Sequence, residues 1–372
     1  MPAKVTTNLT ADRFLGRVLR REVDVSALLA YCVALDPAPL QELLQLPESI
    51  IDTRVEVQHG RGSRLDIVLD GPAGPQAVLE LKVSAAEHGD QLSRYDEYAR
   101  KHGARRFLVD LELPDTLCPE GWTRLNLADA FGCWEQSNDA TARAFATPIA
   151  DVFHSWTAQA RGPFRDLDPA MVTVVTRSIA ARLTADGLET FASKTSAGLP
   201  ALVAFEPHPS GLENAYLCVT LRCQDKDDST MAWILRPGVH VDTGDDVAAA
   251  RTTAHQLASE LEPALGPTSL TAHVATTRPE LSTAISGDRP LKSPRDRDSV
   301  IASWLAAVAA PGTQRLPKHP VFHHDWGRRL AAKYTLDISG LTADDLADVI
   351  RATMNHLTYA AVAASTTVPA ID

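Results

Sequence analysis

Two short apolar runs around a Gly-Pro turn constrain the fold of the N-terminal half of this chain more than any other feature. The stretch SRLDIVLDGPAGPQAVLELKVS, residues 63–84, alternates apolar and polar side chains on both sides of the turn GPAGP. Alternation with a period of two residues, interrupted by a glycine-containing turn, is typical of a β-hairpin. The sequence therefore predicts two antiparallel strands, with the turn centred on Ala73.

The predicted hairpin has one apolar face and one face that carries charges. Its register pairs Val68 with Val78 and brings Asp66 directly opposite Glu80. Opposed carboxylates on neighbouring strands repel each other unless a cation lies between them. Two carboxylates, water and a phosphate oxygen would form the all-oxygen shell that Mg²⁺ prefers. We expect Lys82 to lie beside such an ion, where it could orient or deprotonate the attacking water, or stabilise developing charge.

A second interpretation of the charged face needs no metal. Charged and apolar residues alternate on many amphipathic hairpins, whose polar face is simply solvated. The two interpretations differ in geometry: a metal site requires the carboxylates of Asp66 and Glu80 to converge within reach of one ion, with the Lys82 ammonium alongside. Carboxylates that point to opposite faces would favour the solvated hairpin.

A helix rich in basic residues is predicted directly after the hairpin. In the stretch DQLSRYDEYARKHG, Gln91 and Tyr95 are spaced i,i+4 on one helical face, and Gly103 is a typical stop signal. Basic side chains nearby could form a wall that faces phosphates. They are Arg94, Arg100, Lys101, Arg105 and Arg106. The alternative is a solvated helix face with ordinary charge pairs.

Together, these motifs resemble the PD-(D/E)XK nuclease superfamily. The similarity is greatest to bacterial members whose core reads R-x-D, then E-x-K, then QL-x-x-Y. The residues that carry the resemblance are Asp66 in RLD, Glu80 and Lys82 in ELK, and Gln91 and Tyr95 in QLSRY. These residue types occur in the family's order, which makes the resemblance far more specific than the acidic pair alone.

The resemblance, which covers roughly residues 20–135, implies a fold, a reaction and a cofactor. The fold is a restriction-endonuclease-like mixed sheet flanked by helices, and the reaction is phosphodiester hydrolysis. Asp66 and Glu80 would be ligands of Mg²⁺, with Mn²⁺ as a substitute, and Lys82 would be the catalytic cation. The side chains that would line the site and bind substrate are Gln91, Arg94 and Tyr95.

The sequence departs from the family pattern at one position and is ambiguous at another. Leu65 occupies the position that usually holds proline before the aspartate, a change of little chemical consequence. Many members add a glutamate from the first helix as an extra metal ligand. Here Glu22 is the candidate, with Asp24 as the alternative, and the spacing does not decide between them.

The periodicity of the whole chain predicts an α/β protein, α+β overall, with two domains. We assign residues 1–150 to the nuclease-like domain and residues 151–372 to an α+β accessory domain that selects the substrate or mediates assembly. Within the accessory domain, LTAHVATT is predicted to be a strand. The tail from Ser299 onward is predicted to be mostly helical, including the stretch WGRRLAAKY.

Composition limits the possible partners. A net charge of −11 argues against a surface that is basic all over, although it leaves room for a locally basic cleft. The activity could therefore need a partner protein or a homodimer that completes a basic patch. The chain shows neither a signal-peptide pattern nor an apolar run of roughly 18 to 20 residues, so we expect a cytoplasmic protein without membrane contacts.

The function expected from the sequence is that of a Mg²⁺-dependent nuclease. By analogy with the superfamily, DNA is favoured over RNA, in restriction, phage defence or repair. The alternative is a catalytically inactive protein that keeps the nuclease fold and acts as a nucleic-acid-binding or assembly module. A separate cluster, His319, His323, His324 and Asp325, could bind a transition metal or simply form a turn.

Overall fold

In the computed structural model, the described residues are 11–58, 64–83, 91–111, 118–167, 171–194, 199–223, 232–243, 246–286, 296–310, 316–325 and 328–366. Two compact units divide the chain. One comprises Met1–Arg161 and Leu167–Ser178, and the other comprises Gly162–Asp166 and Ile179–Asp372. Each unit combines helices with a sheet, so the predicted α/β class, α+β over the whole chain, is confirmed.

The first unit is built on a five-stranded mixed sheet with the strand order β1-β2-β3-β4-β5. The antiparallel part consists of β1 (Asp52–Gln58), β2 (Arg64–Gly71) and β3 (Gly74–Lys82). β4 (Arg105–Asp110) and β5 (Thr123–Asn126) continue the sheet parallel to β3. β3 is therefore the strand at which the sheet changes from antiparallel to parallel pairing.

Helices flank this sheet, as predicted. α2 contacts the three antiparallel strands, and α4 contacts β3 and β4. The predicted domain boundary at residue 150 falls inside α6, and α7 begins in the first unit and ends in the second. In chain order the helices are α1 (Ala11–Val18), α2 (Glu22–Leu35), α3 (Ala38–Leu43), α4 (Gln91–His102), α5 (Leu127–Gly132), α6 (Ala140–Ala160) and α7 (Val172–Ala185).

Local sequence signals fix the ends of the elements next to β4 and β5. Gly103, directly after α4, has φ +68, a left-handed conformation that glycine adopts without a steric penalty. Asn126 ends β5 and caps α5, because its side-chain oxygen accepts the backbone N–H of Ala128 at 2.7 Å. The short strand therefore passes directly into the helix.

The register of the predicted hairpin is confirmed, but its turn is tighter than expected. Val68 pairs with Val78. A β-bulge then shifts the register, so that Gly71 pairs with Gly74 and only two residues remain in the turn. The predicted turn centred on Ala73 is wrong in this detail, because the bulge takes up the extra residue. Gly74 has φ +119, which a residue with a side chain would rarely adopt.

The second unit contains an eight-stranded antiparallel sheet. Its main path runs β10-β13-β9-β8-β7-β6, and β12 pairs with β9 and with β11 beside this path. The strands are β6 (Glu189–Lys194), β7 (Pro200–Pro207), β8 (Ala215–Cys223), β9 (Ala232–Val241), β10 (Ile285–Ser286), β11 (His323–Asp325), β12 (Arg329–Ala331) and β13 (Tyr334–Asp337).

Helices pack against strands β8, β9 and β12 of this sheet. On α12, the Thr358 hydroxyl donates to the Glu206 carboxylate of β7 at 2.9 Å. The Tyr334 hydroxyl of β13 donates to the carbonyl oxygen of Leu265, which lies between α8 and α9, at 2.6 Å. The helices of this unit are α8 (Val247–Glu260), α9 (Pro267–Thr277), α10 (Pro279–Ser282), α11 (Arg297–Ala309) and α12 (Ala343–Thr366).

The predicted strand LTAHVATT is wrong, because these residues belong to helix α9. Pro267 occupies the first helical turn, where its missing N–H has no partner to lose. Leu270 and Val274, spaced by four residues, are the buried side chains of the helix. A short apolar run of this kind fits either a strand or a buried helix segment by periodicity alone.

The prediction of a mostly helical tail is also wrong in part. α11 and α12 are helical, but β11, β12 and β13 lie between them. The described part of WGRRLAAKY contains β12 and the start of β13, both of which pair with β9. Long-range pairing with a central strand therefore overrides the local helical pattern.

Candidate active site

The charged residues of the hairpin lie where strands of the first unit end together. In the parallel part of the sheet, Glu80 is the register partner of Leu108, and Lys82 is the partner of Asp110. Asp110 is in turn the partner of Asn126 on β5. The carboxyl ends of β3, β4 and β5 therefore meet at one edge, which brings polar side chains from separate parts of the sequence together.

Asp66 is held from two directions by hydrogen bonds. Its Oδ2 accepts the backbone N–H of Leu81 at 2.9 Å, and its own N–H donates to the hydroxyl of Tyr95 at 2.7 Å. The last residue pair of β2 and β3 at this end is Ile67 and Leu79. Beyond it, the hydrogen bond between the Asp66 side chain and Leu81 connects the two strands. The carboxyl group is thereby fixed next to Glu80 and Lys82.

Glu80 is fully buried, with no exposed surface. The Lys82 ammonium forms an ion pair with its Oε1, but neither carboxylate oxygen has a hydrogen bond of normal geometry to any described residue. A buried carboxylate with unsatisfied oxygens is energetically unfavourable unless a further partner binds it. The interpretation of this face as the solvated side of a hairpin is therefore wrong.

The two carboxyl groups interact strongly. Burial, followed by the charge of Glu80, raises the pKa of Asp66 to about 8. Burial opposes the charge on Lys82, but the carboxylates of Glu80, Glu22 and Asp66 outweigh it and raise the pKa of the ammonium. At neutral pH the lysine is therefore charged.

Tyr95 is the residue of α4 that reaches this site. It is completely buried, and burial and the charges of Asp66 and Glu80 raise the pKa of its hydroxyl, which stays neutral. Its ring packs in a cluster with Val68 and Trp122. The structure thus places Tyr95 beside the carboxylates, where its hydroxyl holds the backbone of Asp66.

The other residues predicted to lie on or near α4 divide into three groups. Arg94 is half-buried, and the side chain of Gln91 lies outside the described part of the chain. Arg105 donates to the carbonyl oxygens at the C-terminal end of α3, and Arg106 pairs with Asp96 at 2.6 Å. The predicted phosphate-facing wall is wrong for these two arginines, because both stabilise the fold. Arg100 and Lys101 are exposed.

The structure distinguishes the two carboxylates that the sequence offered from the first helical segment. Oε1 of Glu22 accepts the backbone N–H of Val83 at 3.1 Å, next to Lys82, whose pKa it raises. Asp24 instead pairs with Arg21 at 3.5 Å. Glu22 is therefore the acidic residue that the fold brings to the candidate site.

Two further groups at this edge were missed by the sequence analysis. Asp110, which is 3% exposed, accepts a bidentate pair of hydrogen bonds from Arg124, which lies two residues before Asn126 on β5. Its position at the end of the apolar run FLVD was a usable signal. Arg177 of α7 lies within electrostatic reach of Glu22, and one of its terminal nitrogens is buried without a hydrogen bond. Nothing in the sequence around Arg177 indicates this placement.

The donor set fits a small, hard cation. Within the described ranges, no group of three or more His, Cys, Asp and Glu side chains is arranged to hold a metal ion, so Glu22 does not complete a three-carboxylate group. Mg²⁺, however, is commonly held by one or two protein carboxylates together with water and substrate oxygens. The unsatisfied oxygens of Glu80 and the raised pKa of Asp66 are the features that a cation between them would relieve.

The histidine cluster of the second unit has no metal-binding arrangement among its described residues. His323 and His324 are adjacent on β11 and so point to opposite sides of the strand. His319 is buried; its Nδ1 accepts two backbone N–H groups, and its Nε2 lies 3.1 Å from Nδ1 of His255. Its ring nitrogens therefore already have partners within the fold.

Comparison with known proteins identified no relative of this chain, so a function can be argued only from the geometry of the site. No family model, no curated protein and no solved structure matches this chain. None of the helices formed by the described residues is both long enough and apolar enough to span a bilayer.

Proposed function

We propose that this protein is a metal-dependent nuclease that hydrolyses phosphodiester bonds. The observation that supports the proposal best is the close approach of the Asp66 and Glu80 carboxyl groups, with the Lys82 ammonium beside them, in a buried part of the first sheet. Bringing two buried carboxyl groups together costs folding stability, and such pairs are typical of functional sites. The resemblance to the PD-(D/E)XK superfamily favours DNA over RNA as the substrate.

Asp66 and Glu80 are the residues that would hold Mg²⁺, or Mn²⁺ in its place. When bound, such an ion polarises the phosphodiester and activates water. Asp66 is half-buried and the side chain of Lys82 is 12% exposed, so this side of the site is accessible to solvent. The hydrogen bond from Leu81 is to the Oδ2 atom of Asp66.

The charge state of Lys82 bears on which of its three predicted roles we propose. A general base must be neutral before it can remove a proton from water. Since its three neighbouring carboxylates raise the pKa of Lys82, it is an ammonium at neutral pH. We therefore assign to it the orientation of water and the stabilisation of negative charge that develops on the phosphate.

Other residues position these three groups. The Tyr95 hydroxyl accepts the N–H of Asp66, and the Glu22 carboxylate accepts the N–H of Val83, next to the lysine. Arg177 has a buried terminal nitrogen without a hydrogen bond, and a substrate phosphate is a suitable partner for it.

The test is cleavage of plasmid DNA, single-stranded DNA and RNA by the purified protein with Mg²⁺, Mn²⁺ or EDTA. We expect metal-dependent cleavage by the wild type and a loss of about 100-fold or more for Asp66→Asn, Glu80→Gln and Lys82→Met. Asp70→Asn is the matched control, because Asp70 lies on the same strand but its carboxylate is bound by Arg54 at 2.6 Å. That variant should cleave like the wild type.

Two results would contradict the proposal. One is the absence of cleavage of all three substrates by folded wild type with either metal. The other is cleavage that persists at the wild-type rate in Asp66→Asn and Lys82→Met, which would identify a contaminating nuclease or another site. The first result, together with nucleic-acid binding, would support an inactive protein with a nuclease-like site.

A further inference from the structure

The two sides of the second unit's sheet differ in chemistry. Directly paired residues point to the same side of a sheet. Thr220 pairs with Arg236, and Tyr216 pairs with His240, which pairs with Arg329. Glu206, whose carboxylate contacts α12, points to the opposite side from its neighbour Phe205. By this register, the side opposite α12 carries the residues that we call the arginine face: Phe191, Phe205, Tyr216, Arg222, Arg236 and Arg329.

The charges of the arginines on this face are offset only in part, by Asp325, the register partner of Arg329 on the same side. Nε of Arg236 and Nε of Arg329 are buried and have no hydrogen-bond partner, and neither these two residues nor Arg222 has an ion-pair partner within the described ranges. On the helical side of the same unit, by contrast, Arg278 and Arg351 both pair with aspartates of α12. Buried guanidinium groups without partners are rare unless a ligand satisfies them.

The positive charges of the face also repel each other. Burial, followed by the charge of Arg222, lowers the pKa of Arg236, and Asp325 opposes the shift only in part. The charges of Arg236, Lys333 and Arg222 add to the effect of burial in lowering the pKa of His323 nearby. This concentration of cations in a chain of net charge −11 is complementary to an anionic ligand.

Aromatic rings lie among these cations. The centroids of Phe205 and Tyr216 are 6.1 Å apart, His240 lies 5.5 Å from Phe205, and the guanidinium of Arg329 stacks over the Phe205 ring at 5.4 Å. Phe191, on the edge strand β6, is 63% exposed. Half-buried rings beside a guanidinium group, with an exposed ring on the edge strand of the same face, are a combination suited to the unstacked bases and phosphates of a single strand.

We propose that the arginine face binds single-stranded nucleic acid, with the arginines contacting phosphates and the rings stacking on bases. A duplex keeps its bases stacked on each other, so the aromatic rings would have no base to contact. Free phosphate would use the arginines but not the rings. This inference does not depend on the hydrolytic activity proposed for the first unit, because binding is measured without metal.

The test is the anisotropy of a fluorescent 20-nucleotide DNA strand titrated with full-length protein in EDTA, beside the duplex of the same sequence. We expect the single strand to bind more tightly than the duplex. Phe191→Ala should weaken binding about tenfold without changing the salt dependence. Arg222→Gln with Arg236→Gln should weaken it further and reduce the slope of log K against log[salt] by about 1.4, since each phosphate contact contributes about 0.7.

Matched controls lie on the rest of the same unit. Tyr359→Ala removes an aromatic ring that is 72% exposed on α12, and Arg165→Gln removes an arginine whose side chain is 65% exposed. Both should bind like the wild type. Phe191 is exposed, so its replacement leaves the core intact, and thermal unfolding checks the fold of the arginine variant.

The proposal is overturned by any of three results. These are a wild type that binds no single strand, a Phe191→Ala variant that binds as tightly as the wild type, and equal losses in the face variants and their controls. Preference for the duplex that survives Phe191→Ala would identify a phosphate-binding surface without base stacking, which also contradicts the proposal.

Discussion

The Oδ2 atom of Asp66 accepts the backbone N–H of Leu81 at 2.9 Å, so a carboxylate on β2 is tied to the peptide between Glu80 and Lys82 on β3. This bond sets the position of Asp66 relative to both neighbours at once. It also forces two carboxyl groups together, and burial with Glu80 raises the pKa of Asp66 to about 8. Stability and the proposed activity therefore place opposite demands on this residue.

Asp66→Asn is expected to stabilise the metal-free protein at high pH. The carboxyl has an ordinary pKa of 3.8 and a folded pKa of about 8, so the folded state binds more protons in this range, and Asp66 lowers stability increasingly as pH rises from 4 to 8. The asparagine oxygen can still accept the Leu81 N–H. In urea unfolding with EDTA, the free energy of unfolding of Asp66→Asn should exceed that of the wild type at pH 8.5 and be almost equal to it below pH 4.

A control variant and the response to Mg²⁺ test whether the stabilisation comes from the Asp66 charge. Asp70→Asn removes the ion pair with Arg54 and should not stabilise at either pH. Saturating Mg²⁺ should raise the melting temperature of the wild type, because the Asp66 carboxylate binds the ion. It should leave the melting temperature of Asp66→Asn nearly unchanged, because the neutral amide replaces that ligand. A variant less stable than the wild type at pH 8.5 would show that the two carboxyl groups do not repel.

Tyr95→Phe is expected to reduce both stability and metal-dependent cleavage. The change leaves the backbone N–H of Asp66 without its acceptor at 2.7 Å, and an unsatisfied buried donor costs about 1–3 kcal/mol. Urea unfolding and cleavage rates measure the two effects. On the same helix, Tyr98→Phe removes the hydroxyl that Arg54 contacts at 3.3 Å, away from Asp66, and should leave cleavage unchanged. Equal effects of the two substitutions on cleavage would refute the positioning role of Tyr95.

Gly238→Ala is expected to destabilise the second unit by at least about 2 kcal/mol. A Cβ at this position of β9 would lie 2.1 Å from the carbonyl oxygen of Leu330 and 2.6 Å from Cα of Ala331, both on the paired strand β12. Backbone atoms of a paired strand cannot move aside without breaking the ladder. Gly340→Ala is the control, since no atom lies within 4 Å of the added Cβ. Similar melting temperatures for both variants would contradict the close approach of β9 and β12.

The lowered pKa of the buried His319 side chain predicts that the protein loses stability in mild acid. Burial, followed by the charges of His255, His324 and Arg297, lowers its pKa from 6.5 to about 3. The unfolded chain therefore binds a proton that the folded chain rejects, and stability falls as pH drops from 6.5 towards 3, by up to about 1.4 kcal/mol per pH unit.

His319→Asn isolates this effect, because the asparagine oxygen replaces Nδ1 as the acceptor of the backbone N–H groups. Urea unfolding between pH 4 and 7 should give a shallower pH dependence than the wild type. His154→Asn changes an exposed histidine of α6 and should leave the slope unaltered. An unchanged slope in His319→Asn would show that another group titrates in this range.

The sequence predicted those parts of the fold that depend on short-range pattern. Alternation around a glycine turn was enough to place Asp66, Glu80 and Lys82 on one hairpin in the correct register, and Gly103 marked the end of α4. The bulge after Leu69 was missed, because period-two alternation does not show where an extra residue is accommodated.

The remaining features depend on contacts between distant segments. β12 pairs with β9 despite a local helical pattern, and Arg177 reaches the neighbourhood of Glu22 from α7. Burial of Glu80 follows from the packing of the whole unit and has no signature in the residues around it. The candidate site residues within one hairpin were therefore predictable, whereas the burial of Glu80 and the charged neighbour Arg177 were not.

Because the hairpin lies early in the chain, its three charged residues are synthesised before most of the residues that surround them in the folded protein. A nascent chain exposes its N-terminal segments first, and the hairpin that carries Asp66, Glu80 and Lys82 needs only local contacts to close. Tyr95 follows shortly afterwards, but Arg177 leaves the ribosome only after β4, β5 and α6. A growing chain thus holds its carboxylates and lysine together well before the surroundings that bury them and set their charges are complete.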